Sequence, residues 1–382
     1  MIPDQAEVVI IGGGVVGCSI AYNLSQLGMD DVVVLEKEFL ASGSTGRCGA
    51  GIRQQWGTEM NCLLARDSMR IFESMAEDLS YEPGIGLKQS GYLILAHSQR
   101  EVEQFEKNVS LQNSLDIESS LLTPEEAREI VPHLNIEDLE AATFCPSDGH
   151  ADPFHVTEAY ARAAARQGVK ILTFTPARRI EKKGAHYLVE TPRGTIEAPV
   201  LVNAAGGYSQ QVAEMIGIEL PVFSERHEIL VTEKAPPLQD PMVISFREHI
   251  YCQQAPHGSF IMGLGPEDED PSYNHASSWQ FLKEMSDSIA RLLPPLKELR
   301  VIRQWAGLYN ITPDAQPILG GVDGYPGYCQ ALGFSGHGFM ISPMVGRAIA
   351  QQITGQRPEI DLERLNLDRF QSGDLILEPS VV

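Results

Sequence analysis

The sequence predicts an α/β domain that is interleaved with a second domain, of α+β type, built on an antiparallel sheet. Near the start of the chain, two short apolar runs flank a glycine-rich turn and a helix, which is the pattern of a βαβ unit. Alternating strand and helix patterns return after residue 150 and again near residue 340. Between residues 221 and 305, by contrast, short strands recur between proline, glycine and acidic turns, which is typical of an antiparallel sheet.

The βαβ unit comes first. The apolar runs at residues 8–11 and 32–35 predict two buried parallel strands, and residues 19–27 predict the helix between them. A Gly-x-Gly-x-x-Gly sequence, residues 12–17, stands between the first strand and the helix. In this context the sequence is the fingerprint of a Rossmann unit rather than an ordinary glycine-rich turn.

Each glycine of the fingerprint has an expected task. Gly12 makes the tight turn, Gly14 lets the backbone approach a pyrophosphate, and Gly17 lets the helix pack on the strand. The helix N-terminus supplies partial positive charge. Glu36 ends the second strand, where a carboxylate can accept hydrogen bonds from ribose hydroxyls. The unit predicts binding of an ADP moiety, which NAD and FAD share.

The remaining elements follow in order. A capping box, Thr123-Pro124-Glu125-Glu126, starts the second of two charged helices between residues 97 and 131. The acidic segment 266–271 predicts a solvated turn. Other helices are predicted at 59–75, 156–166 and 277–293 and from the 333–338 turn to about 353, with strands at 91–96, 169–174, 200–202, 228–232, 242–246, 250–253 and 259–264.

The composition of the chain excludes some classes of binding partner. The 382 residues carry 51 acidic and 29 basic side chains, a net charge of −22 that repels nucleic acid and anionic membrane surfaces. No apolar run approaches the roughly 18 to 20 residues of a membrane span, and the N-terminal residues belong to the first strand rather than to a targeting signal. The six cysteines are scattered without a Cys-x-x-Cys pair, so we expect reduced thiols, a cytoplasmic location and no metal site.

Three glycine-rich segments, residues 12–17, 41–51 and 333–338, follow predicted strands or open predicted helices. An NAD site usually needs only the first. A flavin needs more, because backbone N–H groups must hold its ring system at several points. The last segment opens a helix, whose N-terminal dipole can stabilise negative charge on the pyrimidine end of a flavin ring. The sequence therefore predicts FAD rather than NAD.

Further motifs give the chain a family resemblance. They are Val202-Asn203-Ala204-Ala205-Gly206, Trp305-Ala306-Gly307-Leu308 followed by Thr312-Pro313-Asp314, Gly333-Phe334-Ser335-Gly336-His337-Gly338-Phe339, and the segments 42–49 and 51–55. Through them the chain resembles the FAD-dependent amino acid oxidases and dehydrogenases, which include D-amino acid oxidase, glycine oxidase and monomeric sarcosine oxidase. The likeness is greatest to the β subunits of L-proline dehydrogenase and heterotetrameric sarcosine oxidase.

The resemblance implies a glutathione-reductase-like FAD-binding domain and an antiparallel-sheet substrate domain. We expect residues 1–80, 146–220 and 306–382 in the first domain and 81–145 and 221–305 in the second. The implied reaction is hydride transfer from the carbon beside an amine to flavin N5, giving an imine, with proline, hydroxyproline or sarcosine as substrate. The alternatives are an oxidase of glycine or D-amino acids that forms H2O2 from O2, and a flavin-carrying electron-relay subunit of a hetero-oligomer.

The resemblance and the motifs also nominate site residues. Arg53 is expected to pair with the substrate carboxylate, and Tyr251, His227 and Met340 are further candidates beside the substrate. The expected cofactor-binding residues are Gly12, Gly14, Val15, Val16, Gly17, Glu36, Lys37, Ser42, Ser44, Thr45, Gly46, Arg47, Cys48, Ala177, Ala204, Ala205, Gly206, Gly307, Gly333, Gly336, His337, Gly338, Phe339 and Met340.

Departures from the family pattern sharpen these expectations. Tyr309 stands where glycine oxidase and D-amino acid oxidase carry an arginine, and Met340 where monomeric sarcosine oxidase carries a lysine. Residues 306–311 contain no cysteine, so FAD should be non-covalent, and FMN is expected only if a partner subunit is present. The lysine linked to oxygen activation falls near Ile261, which favours a dehydrogenase with another electron acceptor.

Overall fold

The computed structural model describes residues 2–265 and 270–379. The predicted acidic turn at 266–271 lies mostly outside these residues. The strands are β1 Val8–Ile11, β2 Val32–Leu35, β3 Gly51–Ile52, β4 Lys88–Gln89, β5 Tyr92–Ala96, β6 Ser120–Leu122, β7 Ala141–Cys145, β8 Gly149–His150, β9 Lys170–Leu172, β10 Arg179–Lys183, β11 His186–Thr191, β12 Gly194–Ala198, β13 Val200–Asn203, β14 Phe223–Lys234, β15 Met242–Ser245, β16 Ile250–Gln254, β17 Ser259–Leu264, β18 Val301–Ile311, β19 Ile318–Val322 and β20 Tyr325–Leu332. The helices are α1 Val15–Gln26, α2 Glu59–Asp78, α3 Gln99–Ser114, α4 Pro124–Ile130, α5 Pro153–Arg166, α6 Ser209–Glu214, α7 Trp279–Leu292, α8 Gly338–Ile353 and α9 Arg369–Ser372.

A six-stranded sheet forms the α/β part, in the order β19-β20-β13-β1-β2-β9. Its strands pair in parallel except for β19, which runs antiparallel to β20. Alternate residues of β1 face opposite cores: Val8 and Ile10 pack with α1, α5 and α8, whereas Val9 and Ile11 pack with the β10-β11-β12 sheet. Because both faces are covered, β1 and β2 are apolar along their whole length, as the sequence predicts.

An eight-stranded sheet forms the second part, in the order β18-β14-β17-β16-β15-β5-β7-β6. Its neighbouring strands are antiparallel apart from β15 and β5. Helix α7 packs on one face through Phe281, Met285 and Ile289. The predicted antiparallel sheet with one covering helix is therefore confirmed. A separate small sheet has the strand order β3-β8-β4.

The predicted elements differ from the structure mainly at their ends, whereas strands β10–β12 and β18–β20 were not predicted. Helix α1 begins at Val15, four positions earlier than predicted, because Gly14 serves as its N-cap. The capping box of α4 forms as predicted, with reciprocal hydrogen bonds between Thr123 and Glu126. Strand β14 extends well beyond the predicted 228–232 because it pairs with β18 along almost its whole length.

Segments of the chain alternate between the two large sheets, as the interleaved organisation requires. The predicted boundary at residue 306 falls inside β18, so the exact domain boundaries stay a prediction. Within the described ranges, every helix is too short or too polar to cross a membrane.

Candidate active site

A cavity of about 350 Å³ lies at the carboxyl ends of β1, β2, β13 and β20. In open α/β sheets this edge is where ligands bind. The described residues that line it are Ile11, Gly12, Gly14, Val15, Val16, Leu35, Glu36, Lys37, Ser42, Gly43, Ser44, Thr45, Cys48, Pro176, Ala177, Ala204, Ala205, Gly206, Gly207, Tyr208, Gln211, Val212, Met215, His275, Leu308, Tyr309, Asn310, Ala331, Phe334, Ser335, Gly336, Gly338 and Phe339.

The turn after β1 is built around two glycines that tolerate no side chain. Gly12 has a φ of +117°, and a Cβ there would lie 2.3 Å from the Ala204 carbonyl oxygen. A Cβ on Gly17 would lie 2.0 Å from the Gly12 carbonyl oxygen, so this glycine permits the close packing of α1. Gly14 at the N-cap carries no side chain. The Val15 N–H donates to the Thr45 hydroxyl at 3.2 Å, and the N–H groups of the first turn of α1 that follow it can face a ligand in the cavity.

Glu36 is a buried carboxylate in a fixed position. Its Oε2 accepts a hydrogen bond from the Gly13 N–H at 2.8 Å, and its Oε1 accepts one from the Glu38 N–H at 2.8 Å. The Ser42 hydroxyl donates to Oε1 at 3.3 Å. Oε1 already accepts two hydrogen bonds, whereas Oε2 accepts one and can accept another, so Glu36 is oriented to receive a ribose hydroxyl at Oε2.

The loop at residues 41–51 is attached to β18. The Ser44 hydroxyl donates to the Leu308 carbonyl at 2.7 Å. Arg47 donates to the Ser42 carbonyl at 3.0 Å and to the Ala306 carbonyl at 3.0 Å, and the Trp305 indole donates to the Arg47 carbonyl at 3.1 Å. Arg47 therefore holds the loop in place from outside the cavity lining.

The segment 333–338 is attached to the same strand. The Gly333 N–H donates to the Asn310 side-chain oxygen at 2.9 Å, and the Ser335 N–H donates to the Asn310 carbonyl at 3.0 Å. This arrangement brings the N-terminus of α8 to the cavity. His337 is the N-cap of α8, and burial together with the charge of Arg53 lowers the pKa of this imidazole to about 3. His337 is therefore neutral.

Sequence reasoning missed the outer wall of the cavity. The Tyr208 ring stacks on the ring of Tyr273, with 5.3 Å between the centroids, and the Lys37 ammonium lies 3.3 Å from the Tyr208 centroid. The Tyr208 hydroxyl lies 3.1 Å from Nε2 of His275. In the sequence, only the position of Tyr208 directly after Asn203-Ala204-Ala205-Gly206-Gly207 could have indicated this wall. Tyr273 and His275 lie more than 60 residues further along the chain, so no local pattern links them to Tyr208.

Three aromatic rings form a row on the eight-stranded sheet. The His227 ring is parallel to the Tyr309 ring at 4.2 Å between centroids and to the Tyr251 ring at 5.8 Å. Burial lowers the pKa of His227 to about 4 and raises the pKa of both tyrosines, so the row is uncharged near neutral pH. A Cβ on Gly336 would lie 2.6 Å from Tyr309, and one on Gly49 would lie 2.7 Å from Tyr251. The row thus faces both glycine-rich loops.

Arg53 is almost fully buried, with only 2% of its surface exposed. Its guanidinium donates to the Gln55 carbonyl at 2.9 Å and lies 3.8 Å from the centroid of the Trp56 ring. Trp56 in turn makes an edge-to-face contact with His337 at 4.5 Å. Burial lowers the pKa of Arg53, while Glu378, Tyr92 and other acidic groups oppose that shift.

Comparisons with known proteins agree with this geometry. The family model described as DAO, FAD dependent oxidoreductase, matches residues 7–352. The chain belongs to the DAO family of FAD-dependent oxidoreductases. It is 31% identical to the sarcosine oxidase subunit beta of Arthrobacter sp over 379 residues, which is 97% of this chain and 93% of that protein.

Solved structures of this DAO family have the same fold. The L-proline dehydrogenase of P. horikoshii has a TM-score of 0.93 and 37% identity, covering 98% of this chain and 100% of that chain. The glycine oxidase of Geobacillus kaustophilus has a TM-score of 0.88 at 24% identity, covering 96% of this chain and 99% of that chain. The predicted family resemblance is confirmed.

Not every relative matches along its whole length. The mitochondrial dimethylglycine dehydrogenase of Rattus norvegicus is 30% identical over 392 residues, covering 96% of this chain. The DAO chain spans only 45% of that relative's length.

The cavity of this DAO protein fits FAD. The turn at Gly12 and Gly14 leaves room for a diphosphate at the N-terminus of α1, and Glu36 is oriented for a ribose. The second glycine-rich loop, the N-terminus of α8 and Tyr309 line the same cavity. FAD dependence, predicted from the three glycine-rich segments, is confirmed by the family.

Most of the predicted cofactor-binding residues line the cavity, although their individual roles stay predictions. Seven of the predicted residues are not among the described residues that line the cavity: Gly17, Gly46, Arg47, Gly307, Gly333, His337 and Met340. Gly17 and Arg47 act through packing and loop attachment, and Met340 is buried in the first turn of α8. Of the substrate candidates, His227 and Tyr251 lie in one row, whereas Arg53 lies near His337.

Proposed function

We propose that this protein oxidises a small amino acid with a secondary amine, with proline, hydroxyproline and sarcosine as the candidate substrates. The observation that carries the proposal is the likeness to L-proline dehydrogenase, which extends over almost the whole of both chains. The sarcosine oxidase subunit beta, another relative covered almost completely, supports the same class of substrate. When bound, FAD accepts a hydride from the substrate carbon beside the nitrogen.

The ring row prepares the amine for this reaction. A hydride leaves readily only when the nitrogen lone pair is free, so the substrate must react as a neutral amine. The buried, uncharged rings of His227, Tyr251 and Tyr309 offer no counter-charge to an ammonium group. Such surroundings lower the pKa of the ammonium and favour loss of its proton to water.

Arg53 supplies the charge that the substrate carboxylate needs in this proposal. A guanidinium can pair with a carboxylate through two parallel hydrogen bonds, and its buried position strengthens that attraction. Tyr309, in the place where the resemblance to glycine oxidase implies an arginine, stacks on His227 in the ring row. In this proposal the substrate carboxylate pairs with Arg53, and the substrate amine lies next to the ring row.

An anaerobic reduction experiment tests the proposal. Purified holoenzyme is mixed with proline, hydroxyproline, sarcosine, glycine and D-amino acids without oxygen, and the visible flavin absorbance is followed. We expect bleaching by at least one secondary amine and faster bleaching than by glycine. Colourless protein, or a flavin that no small amine bleaches, would falsify the proposal.

Admission of oxygen to the bleached enzyme tests the electron acceptor. Ile261 lies on β17, near the position where the resemblance to monomeric sarcosine oxidase implies a lysine linked to oxygen activation, and an apolar side chain does not supply the positive charge that stabilises superoxide. We therefore propose a dehydrogenase. Fast reoxidation with release of H2O2 would instead support the alternative, an oxidase of glycine or D-amino acids.

The likeness to the sarcosine oxidase subunit beta favours a second candidate function, a flavin-carrying electron-relay subunit of a hetero-oligomer. Co-purification of a second chain, or FMN in addition to FAD, would support it. A single-chain enzyme with non-covalent FAD alone would contradict it. The cytoplasmic location stays a prediction.

A further inference from the structure

Gln253 has a buried side-chain amide beside the ring row, and the NH2 group of this amide already makes a hydrogen bond. It lies on β16 two positions after Tyr251, so both side chains project from the same face of the sheet. The side chain is 3% exposed. Its Nε2 donates a hydrogen bond to the carbonyl of Gly49, which belongs to the loop at residues 41–51. Cys48, the residue before Gly49, lines the cavity.

The other side of the amide has an open hydrogen-bonding position. Because Nε2 is held by Gly49, Oε1 must point elsewhere. Among the described residues, no donor lies within hydrogen-bond distance of Oε1. A buried carbonyl oxygen without a donor loses the hydrogen bonds that it makes to water in the unfolded chain, so a donor from outside the chain is expected.

Two features of the surroundings indicate what kind of donor fits. Nε2 of His227, in the ring row, is also buried without a partner among the described residues. His227 is neutral, and so is the adjoining Tyr251. Uncharged surroundings with an amide oxygen suit an N–H group that gains positive charge, since the oxygen carries partial negative charge.

We propose that Gln253 Oε1 accepts the hydrogen bond of the substrate N–H and thereby selects amines that keep an N–H over tertiary amines. This inference rests on the proposed function. As hydride leaves the α-carbon for FAD, the nitrogen lone pair forms the C=N bond and the nitrogen becomes a cationic iminium N–H. The hydrogen bond to Oε1 strengthens during this step, so Gln253 stabilises the transition state more than the bound substrate.

Paired substrates and paired variants test the proposal. Flavin reduction is followed by anaerobic stopped-flow with proline and N-methylproline, and with sarcosine and N,N-dimethylglycine. We expect Gln253→Met to lower the limiting reduction rate with proline by about 10- to 100-fold, the equivalent of losing one hydrogen bond to a charged group. The rate with N-methylproline should change by less than about threefold, because that substrate offers no N–H in its reactive form.

A matched control comes from the opposite face of the sheet. Gln304 on β18 also has an unpartnered Oε1, while its Nε2 donates to the Ser278 carbonyl before α7. We expect Gln304→Met to leave the proline to N-methylproline ratio unchanged. Gln253→Glu, which burial keeps protonated so that its O–H donates to the Gly49 carbonyl while its other oxygen stays an acceptor, should retain the preference for N–H amines. It replaces Gln253→Met if that variant folds poorly.

Binding of a non-reacting ligand gives an independent measurement. Tetrahydro-2-furoic acid has the shape of proline with a ring oxygen in place of the N–H, and its binding is measured by the change in flavin absorbance. Its dissociation constant should be the same for the wild type and Gln253→Met. Equal losses with N–H and N-methyl substrates, or no loss at all, would overturn the role of Gln253. Absence of reduction by every amine would overturn the proposed function itself.

Discussion

At the residue scale, one backbone conformation decides the start of the cofactor site. Gly12 has a φ of +117°, and the Ala204 carbonyl oxygen occupies the place of a side chain. The same turn lets the Gly12 carbonyl contact Gly17 of α1. The diphosphate region therefore depends on residues that lack a Cβ rather than on any reactive side chain.

Gly12→Ala is expected to weaken FAD binding by more than about tenfold, because both the φ angle and the contact with Ala204 exclude a Cβ. The FAD content and the dissociation constant, from quenching of flavin fluorescence, measure the effect. Gly184→Ala is the control, since Gly184 has a φ of +63° but nothing within 4 Å of its Cβ position. Equal FAD affinity in the two variants would contradict the prediction.

At the scale of elements, strand β18 organises the site. It holds the loop at 41–51 through the carbonyls of Ala306 and Leu308 and the segment at 333–338 through Asn310. Beyond its end, Asp314 pairs with Arg369 of α9, and both side chains are almost fully buried. Burial alone would raise the pKa of Asp314, but its hydrogen bonds and the charge of Arg369 lower it overall.

Arg369→Met should destabilise the protein by about 3–5 kcal/mol, because it leaves the Asp314 carboxylate buried without its counter-charge. Urea unfolding of the holoenzyme measures the change. Arg347→Met is the matched control, since the Arg347 and Glu359 side chains are 42% and 49% exposed and such a pair contributes little. A similar small effect for both variants would show that the buried pair is dispensable.

At the scale of the whole molecule, buried histidines link stability to pH. His150 lies in the small sheet and His227 in the eight-stranded sheet, and burial lowers the pKa of each to about 4 from 6.5. In the unfolded chain both would take up protons as the pH falls below 6.5, whereas the folded protein resists protonation until about pH 4. Stability is therefore fully present above pH 6.5 and is lost toward pH 4.

Asp148 acts in the opposite direction. Burial raises its pKa to about 6 from 3.8, so its contribution is greatest below pH 3.8 and is lost as the pH rises through 6. Between pH 6.5 and 4 this carboxyl partly offsets the histidines. His337, whose pKa is lowered to about 3, acts in the same direction as His150 and His227. Since three buried histidines oppose one carboxyl, we expect a net loss of stability on acidification.

His150→Gln should make the free energy of unfolding less dependent on pH. The decrease in that free energy between pH 7 and 5 should be smaller by about 2 kcal/mol than in the wild type. The measurement is the free energy of unfolding at a series of pH values, compared with the exposed-site variant His257→Gln. An unchanged slope for His150→Gln would mean that His150 is not held neutral in the folded protein.

The sequence by itself predicted the βαβ unit, most of the helices and the ADP end of the cofactor site, but not strands β10–β12 or β18–β20. Strand and helix periodicities, the capping box at Thr123 and the glycines at 12, 14 and 17 act over a few residues, so local patterns suffice to predict them. The choice of FAD over NAD also came from the sequence, because three glycine-rich segments were more than NAD needs.

Only the tertiary structure decided how the substrate side is assembled. The row of His227, Tyr251 and Tyr309 exists because β18, β14, β17 and β16 are neighbours in one sheet, and this order arises from pairings between distant segments. The outer wall at Tyr208 and His275 likewise joins distant segments. Contacts of this kind depend on long-range packing, which no local pattern specifies, and the open oxygen of Gln253 is visible only once that packing is complete.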